Sequence, residues 1–281
     1  AGGAVTAIDV VDSRSDGLTV DVTCSAADAA HSEEMVDALR AVPGVKVRKV
    51  SDRTFLLHLG GKIEVSSKVA LRNRDELSRA YTPGVARVCM AIAETPSDAR
   101  RLTIKRNTVA VVTDGSAVLG LGNIGPLAAM PVMEGKCALF KAFGNVNAVP
   151  ICLDTQDVDE IVETVKRLAP AFGGINLEDI SAPRCFEIEN RLIDELDIPV
   201  FHDDQHGTAI VVLSGVINAL RLTGKKKEEC RVIVNGAGSA GIAIAKLMLS
   251  YGFKNLILCD KCGIICSKSE GVTDAQRAML K

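Results

Sequence analysis

From residue 108 onward, short apolar segments alternate with longer segments in which apolar residues recur every three or four positions. Continuous apolar segments bounded by turn residues are typical of buried parallel strands, and here they predict strands at 108–113, 148–153, 174–178, 199–201, 231–235 and 255–260. The longer segments predict helices at 131–143, 158–168, 183–196, 208–222 and 239–251, with one more in 273–280. Because strands and helices alternate, we predict an α/β fold with a mostly parallel sheet.

The first 66 residues follow a different pattern. Their β-branched segments predict four strands, at 4–11, 18–24, 45–50 and 54–59. Apolar residues at helical spacing predict one helix at 31–42. Strands around a single helix indicate a small antiparallel α+β module.

We therefore divide the chain into three domains, at 1–66, 67–224 and 225–281. The third contains a single βαβ unit, whereas a complete Rossmann-type dinucleotide domain has two βαβαβ halves. We expect this domain to be truncated.

Composition narrows the possible partners. The 281 residues carry a net charge of −2, and 3% are aromatic with no Trp. No long run of one charge is present, so nucleic acid is not an expected partner. No uninterrupted apolar run is long enough to span a bilayer and no signal-peptide pattern begins the chain, so we expect no membrane partner and a cytoplasmic location.

The nine cysteines lack the spacing of a disulfide framework, so we interpret them as reduced thiols. Cys259, Cys262 and Cys266 are close enough in sequence to hold zinc or an iron–sulfur cluster. No fourth Cys follows, and Cys259 belongs to an apolar strand, so free thiols are the favoured interpretation.

Residues 236–241 form the pattern G-x-G-x-x-G between a predicted strand and a predicted helix. This is the context in which the motif binds the pyrophosphate of a dinucleotide at a helix N-terminus. A glycine-rich turn without a ligand is the alternative.

Asp260 ends the next strand, where a carboxylate can bind a ribose hydroxyl and so favours NAD. The neighbouring Lys261 could meet the 2′-phosphate of NADP. The predicted cofactor-binding residues are Gly236, Gly238, Ser239, Ala240, Gly241 and Asp260.

Two acidic pairs follow two of the predicted strands. Glu178 and Asp179 come after one strand, and Asp203 and Asp204 after the next. Carboxylates gathered at strand ends suit Mg²⁺ or Mn²⁺. Helix capping by Asp179 or Asp203 is the alternative. The flanking His202 and His206 receive no metal role, because an all-oxygen site does not need them.

Lys136 lies within a predicted apolar helix. Burial would lower its pKa and make it a usable base, although a surface lysine is the ordinary alternative. Tyr81, one of two Tyr in the chain, precedes a Thr-Pro-Gly turn and a helix at 85–94. A half-buried tyrosine with a bonded hydroxyl is the alternative there.

These motifs, in this order, resemble those of malic enzymes, the decarboxylating malate dehydrogenases. The matching segments are 81–85 (YTPGV), 113–115 (TDG), 119–122 (LGLG), 135–136 (GK), 177–179 (LED) and 202–208 (HDDQHGT). The likeness runs from about residue 77 to the end and is closest to the shorter bacterial enzymes. The larger eukaryotic enzymes carry an Arg where Ser116, Ala117 and Val118 stand here, so that substrate contact is not carried over. Residues 1–66 resemble the later part of an ACT-type regulatory module.

The resemblance implies oxidative decarboxylation of L-malate to pyruvate and CO₂ with NAD or NADP. It assigns Lys136 as the base for the C2 hydroxyl, Tyr81 as the acid that protonates enolpyruvate, and Asp203 as an orienting or assisting residue. It assigns the Mg²⁺ or Mn²⁺ ligands as Glu178, Asp179 and Asp204. It also implies a homodimer or a larger homo-oligomer.

Two other hypotheses stay open. The first is a folded but inactive module that keeps the metal and substrate groups without holding the cofactor. The second is another metal-dependent 2-hydroxy-acid dehydrogenase, such as one acting on isocitrate-like acids. The segments around Tyr81 and Lys136 count against the second.

Overall fold

The structure is a computed structural model that describes residues 2–15, 17–261, 263–266, 268–269 and 271–279. The chain forms two compact units, Ala1–Leu59 and Gly60–Lys281. The domain limits drawn from the sequence, at 1–66, 67–224 and 225–281, stay predictions.

The first unit begins with an antiparallel hairpin of β1 (Ala4–Arg14) and β2 (Gly17–Ser25), followed by helices α1 (Ala29–Arg40) and α2 (Arg53–His58). The hairpin and α1 confirm the predictions there. None of the residues that the structure describes in this unit is buried. The ACT-like interpretation stays a prediction.

Two of the four strands predicted for this unit were wrong. Residues 45–50 form neither strand nor helix, and the segment predicted as the last strand is helix α2. The Asp52 side chain accepts a hydrogen bond from the Phe55 backbone N–H and so starts this helix. The segment 54–59 has one β-branched residue, Thr54, and three leucines, which favour helix, so the local cap is enough to start a helix.

The second unit is built on a four-stranded sheet in the order β4-β3-β5-β6, with every neighbouring pair parallel. Its strands are β3 (Thr108–Thr113), β4 (Asn147–Cys152), β5 (Gly174–Leu177) and β6 (Val200–His202). The two central strands, β3 and β5, are almost wholly buried. The predicted parallel α/β sheet is confirmed.

The helices of the second unit are α3 (Arg74–Ala80), α4 (Ala86–Glu94), α5 (Ala99–Leu102), α6 (Pro126–Gly144), α7 (Val158–Leu168), α8 (Arg184–Glu195), α9 (Asp203–Thr223), α10 (Ser239–Tyr251) and α11 (Asp274–Ala278). The predicted helices of this unit occur in the predicted order, and α3 and α5 are present in addition. Leu280, at the end of the last predicted helix, lies outside the described residues.

Two helices begin earlier than predicted. Helix α6 begins at Pro126 rather than at residue 131, because Gly125 turns the chain with a positive φ and Pro126 suits the first helical position. Helix α9 begins directly at the end of β6, so that Asp203 and Asp204 occupy its first turn. The carboxylates thus lie at the positive end of the helix dipole.

The main hydrophobic core lies between the sheet and helices α7 and α8. Ile161 and Val165 of α7 pack with Ile188 and Leu192 of α8 over Leu177 of β5, and all five side chains are buried. This core holds rigid the strand end that carries Glu178 and Asp179.

A second sheet follows. Strands β7 (Arg231–Asn235) and β8 (Asn255–Asp260) are parallel and joined by α10, and β9 (Gly263–Ile264) pairs antiparallel with β8. This confirms the predicted βαβ unit.

The eight described cysteines are unpaired. Cys266 is exposed, and Cys262 lies outside the described residues, so the three-cysteine cluster is not tested.

Among the described residues, α9 is long and apolar enough to cross a membrane by length and composition alone. One such helix is weak evidence for a membrane span, and 6% of its apolar window is buried in the structure. Here α9 starts with two aspartates and packs along α10, so it does not alter the expectation of a chain without a membrane partner.

Candidate metal and dinucleotide site

The two acidic pairs meet at one edge of the first sheet. Strands β5 and β6 are parallel neighbours, so the residues that follow them emerge side by side. One carboxylate oxygen from each of Glu178, Asp179 and Asp204 lies within 4.8 Å of the others. The Asp179 backbone N–H also donates to Asp204 Oδ2 at 3.1 Å. The predicted ligand set therefore converges.

The charges of this cluster are poorly compensated by the protein. Burial raises the pKa of Glu178 to about 7, although Lys136 and Asn176 oppose the rise. Burial and the Asp204 charge raise the pKa of Asp179 to about 6. Asp179 Oδ2 is buried without a hydrogen-bond partner. Three converging carboxylates with an orphaned oxygen fit a hard divalent cation, and they do not fit simple capping, because Asp179 caps no helix.

Asp179 also has an uncommon backbone conformation. Its φ is +53°, in the left-handed region that few residues other than Gly, Asn and Asp adopt. The Asp179 carbonyl accepts a hydrogen bond from the Ala117 N–H at 2.9 Å. This hydrogen bond connects the loop after β5 to the loop after β3 and so sets the direction of the Asp179 side chain.

Lys136 reaches the cluster from α6. Its Nζ donates to Asp203 Oδ2 at 2.7 Å and lies 3.2 Å from Glu178 Oε1. The sequence predicted that burial would lower the pKa of Lys136. Burial does act in that direction, but the hydrogen bonds and charges of Asp203 and Glu178 outweigh it and raise the pKa. That prediction was wrong, since a sequence does not show which anions face a lysine.

Tyr81 is not brought to this cluster by any described contact. It caps the C-terminus of α3, its side chain is 66% exposed, and no hydrogen bond of the described residues involves its hydroxyl. The alternative of a half-buried tyrosine with a bonded hydroxyl is therefore wrong. Its role as an acid stays a prediction.

His202 and His206 behave differently from each other. The His202 ring is buried with no hydrogen-bond partner on either nitrogen, and its Nε2 lies 4.0 Å from Asp204 Oδ2. Burial lowers the pKa of His202, so the ring is neutral and packs behind the cluster. His206 turns toward α8 instead.

An ion pair that the sequence did not predict joins the loops around the cluster. Arg184 at the start of α8 donates to Asp114 Oδ2 at 2.7 Å, and the Asp114 side chain is fully buried. The same guanidinium donates to Ser116 Oγ and Ser181 Oγ. The sequence contained one indication of this ion pair. Asp114 directly follows an apolar strand, and a carboxylate there implies a buried charge that needs a cation.

The predicted cofactor-binding residues also come together. Gly236 has a φ of +112° at the end of β7, and α10 begins with Ser239 and Ala240 just after Gly238. A Cβ on Gly241 would lie 1.8 Å from the Gly236 carbonyl oxygen, whereas a Cβ on Gly238 would meet nothing within 4 Å. The third glycine therefore serves packing, and the second leaves open space where a pyrophosphate can approach.

Asp260 lies at the end of β8, on the same edge as this turn. Its Oδ2 accepts a hydrogen bond from Gln276 Nε2 at 2.9 Å, and Gln276 Nε2 also donates to the Ala237 carbonyl of the glycine turn. Gln276 of α11 thus connects Asp260 to the turn, which the sequence analysis did not predict.

The fold and the site define a class of α/β protein that combines a divalent-cation site with a dinucleotide-binding βαβ unit. Residues 60–193 match the malic enzyme N-terminal domain, and residues 205–281 match the malic enzyme NAD binding domain. The chain belongs to the malic enzyme family.

Individual relatives agree with this membership. The chain is 61% identical over 265 residues to the NAD-dependent malic enzyme of Geobacillus stearothermophilus, covering 94% of this chain and 55% of that enzyme. It is 52% identical over 207 residues to the NADP-dependent malic enzyme of Rhizobium meliloti, covering 73% of this chain and 27% of that enzyme. The solved structure of the NAD-dependent malic enzyme of Thermotoga maritima matches with a TM-score of 0.79 at 50% identity, over 82% of this chain and 62% of that chain. The chain thus spans about half the length of the Geobacillus stearothermophilus enzyme.

Proposed function

We propose that this chain contributes the metal and substrate groups of an enzyme that converts L-malate and NAD or NADP to pyruvate, CO₂ and the reduced cofactor. The observation that supports this most strongly is the convergence of Glu178, Asp179 and Asp204 beside the Lys136–Asp203 pair. Oxidation of a 2-hydroxy acid followed by decarboxylation needs a base at the hydroxyl and a cation at the carboxylate and hydroxyl oxygens, and this cluster offers both.

Each residue has a separate role in this proposal. Lys136 takes the proton of the C2 hydroxyl in its neutral form, and Asp203, 2.7 Å from Nζ, holds the amine in place. A cation bound to Glu178 would offset part of the carboxylate charge that raises the pKa of Lys136 in the metal-free chain, and would so favour the neutral amine. Glu178, Asp179 and Asp204 would hold Mg²⁺ or Mn²⁺. When bound, the nicotinamide would accept hydride from C2 and the cation would act as a Lewis acid on the substrate oxygens. Tyr81 returns a proton to carbon 3 after CO₂ has left.

The choice of cofactor rests on two neighbouring residues. Asp260 favours NAD because its carboxylate can accept a hydrogen bond from the ribose 2′-hydroxyl and would repel a 2′-phosphate. Lys261 is the group that would accommodate NADP. NAD is the proposed cofactor, with NADP as the alternative. Assembly as a homodimer or a larger homo-oligomer and a cytoplasmic location are further proposals.

The test is Mn²⁺-dependent reduction of NAD and of NADP by L-malate, with pyruvate quantified. It is performed on this chain and on the chain extended to the length of its relatives, with isocitrate as a control substrate. Pyruvate from malate supports the proposal. Activity of the extended chain alone identifies this chain as an inactive module, and turnover of isocitrate but not malate contradicts the proposed substrate.

Replacing Gly241 with alanine is expected to lower the free energy of unfolding by about 2 kcal/mol, because the new Cβ would collide with the Gly236 carbonyl. Gly238→Ala is the matched control, since its Cβ meets open space and its φ of −79° suits alanine. For Gly238→Ala we expect a loss of less than about 1 kcal/mol in stability but a loss of roughly tenfold or more in NAD affinity.

Urea denaturation measures the stability of both variants, and calorimetric titration of the extended chain measures NAD binding. A Gly238→Ala variant that binds NAD as tightly as the unmodified chain would contradict the role given to this turn.

A further inference from the structure

Helix α8 carries a buried carboxylate that the proposed mechanism does not use. Glu189 is 4% exposed and belongs to the buried face of α8 together with Cys185, Ile188 and Leu192. A carboxylate on an apolar helix face is costly unless hydrogen bonds compensate for its lost hydration. Its partners therefore indicate what it does.

Among the described residues, the hydrogen bonds to the Glu189 carboxylate come from one short segment, residues 202–206. The His202 backbone N–H donates to Glu189 Oε1 at 2.9 Å, and Gln205 Nε2 donates to Oε2 at 3.1 Å. His206 Nε2 lies 2.9 Å from Oε1 and 3.1 Å from Oε2. Because an ionised carboxylate only accepts, His206 Nε2 carries the hydrogen in this contact.

The two residues of this segment that do not contact Glu189 are Asp203 and Asp204. Asp203 bonds to Lys136, and Asp204 belongs to the carboxylate cluster. Glu189 thus holds the segment on both sides of the two aspartates, through His202 on one side and through Gln205 and His206 on the other. The junction of β6 and α9 has no side-chain cap of its own, so this carboxylate supplies the local constraint.

We propose that Glu189 is a positioning residue that fixes the start of α9 and thereby the directions of Asp203 and Asp204. The inference rests on the proposed function for the roles of these two aspartates. Outer hydrogen-bond partners of this kind orient metal ligands, and their loss typically weakens metal affinity or activity by about 10–100-fold.

The charge and both oxygens of Glu189 are needed because three donors converge on it. In Glu189→Gln, an NH₂ donor replaces one oxygen, while the shape of the side chain is unchanged. This donor faces the His202 backbone N–H if it takes the place of Oε1, or Gln205 Nε2 if it takes the place of Oε2. At least one contact must then break or reverse, which frees the segment without leaving a cavity. Glu189→Ala removes all three contacts and serves as the second variant.

The experiment measures the Mn²⁺ affinity of the complete protein. Mn²⁺ is titrated into the protein, and the electron paramagnetic resonance signal reports the concentration of free Mn²⁺. Thermal unfolding in EDTA and the separate kcat and KM for malate accompany it. Glu187→Gln is the control, because Glu187 lies on the same helix but is exposed and pairs only with Arg191. We expect Glu189→Gln to weaken Mn²⁺ binding by roughly tenfold or more and to lower kcat, with Glu187→Gln within about twofold of the unmodified protein.

The outcomes separate this inference from the proposed function. Glu189 variants that unfold at lower temperature but, when folded, bind Mn²⁺ with unchanged affinity would show a role in stability only and overturn the inference. An unmodified protein that binds Mn²⁺ but does not oxidise malate contradicts the proposed function and leaves the Mn²⁺ comparison between variants decisive. An unmodified protein that binds no Mn²⁺ overturns both.

Discussion

Lys136→Ala is expected to lower kcat for malate oxidation by about 10²–10⁴-fold, the range attributed to a single general base. The change removes the amine that lies 2.7 Å from Asp203 and 3.2 Å from Glu178. No other lysine or arginine among the described residues forms an ion pair with this cluster, so no neighbour replaces it. Steady-state kinetics with saturating Mn²⁺ and cofactor measures the effect.

Two further variants separate the chemistry of Lys136 from its charge. Lys136→Arg keeps a cation beside Asp203 and Glu178 but cannot give up its proton, so we expect the same loss of kcat with the fold retained. Lys141→Ala changes an exposed lysine of the same helix that bonds only to Asn145 and Asn147, and it should retain activity. If Lys136→Ala kept most of its activity, another group would have to be the base.

Asp179→Asn and Asp204→Asn are expected to weaken Mn²⁺ affinity by more than about 100-fold. The loss of a residue that only orients a metal ligand typically costs about 10–100-fold, and the loss of a ligand itself should cost more. Each variant removes one of three carboxylates that converge within 4.8 Å. Asparagine is chosen because it tolerates the left-handed backbone of Asp179, which alanine does not. Asp197→Asn, at a carboxylate that is 90% exposed, is the control.

Although Asp179→Asn weakens metal binding, it should increase the free energy of unfolding of the metal-free chain. Burial raises the pKa of Asp179 to about 6 in the folded chain, above its ordinary value of about 4. The folded state then holds a proton that the unfolded state releases, so the free energy of unfolding falls as pH rises from about 4 to 6. In EDTA at pH 8 the variant should be more stable by up to about 3 kcal/mol.

This gain should vanish below about pH 4, where both states are protonated. Urea denaturation in EDTA at pH 4 and at pH 8 measures it, and added Mn²⁺ should stabilise the unmodified chain but not the variant. A variant that is less stable than the unmodified chain at pH 8 without metal would show that the Asp179 carboxylate stabilises the fold rather than serving a cation.

Two of the predictions that failed were decided by a nearby polar group. The segment 54–59 was predicted as a strand, but the Asp52 side chain accepts a hydrogen bond from the Phe55 N–H and caps a helix there. Lys136 is half-buried, and burial lowers its pKa, but Asp203 and Glu178 face it and raise the pKa overall. Both outcomes depend on which polar group lies nearest.

Local pattern determined much of this protein. Apolar periodicity identified the strands and helices of the second unit, including β3 and α7 at their observed bounds. Alternation of strands and helices implied parallel pairing, and parallel pairing implied that residues after β5 and β6 share an edge. The spacing of three glycines, each with a different steric requirement, identified the turn before α10. These features depend on neighbours along the chain, so a sequence can carry them.

Only the tertiary structure decided which charges meet. Asp114 and Arg184 are far apart in the sequence, and so are Glu189 and residues 202–206, yet each set forms a buried contact. Electrostatic energy depends on distance and burial, and both are properties of the packed sheet and helices. Glu189 was visible as a charge on an apolar helix face, but its partners were not, because they lie on another element that the sheet brings alongside.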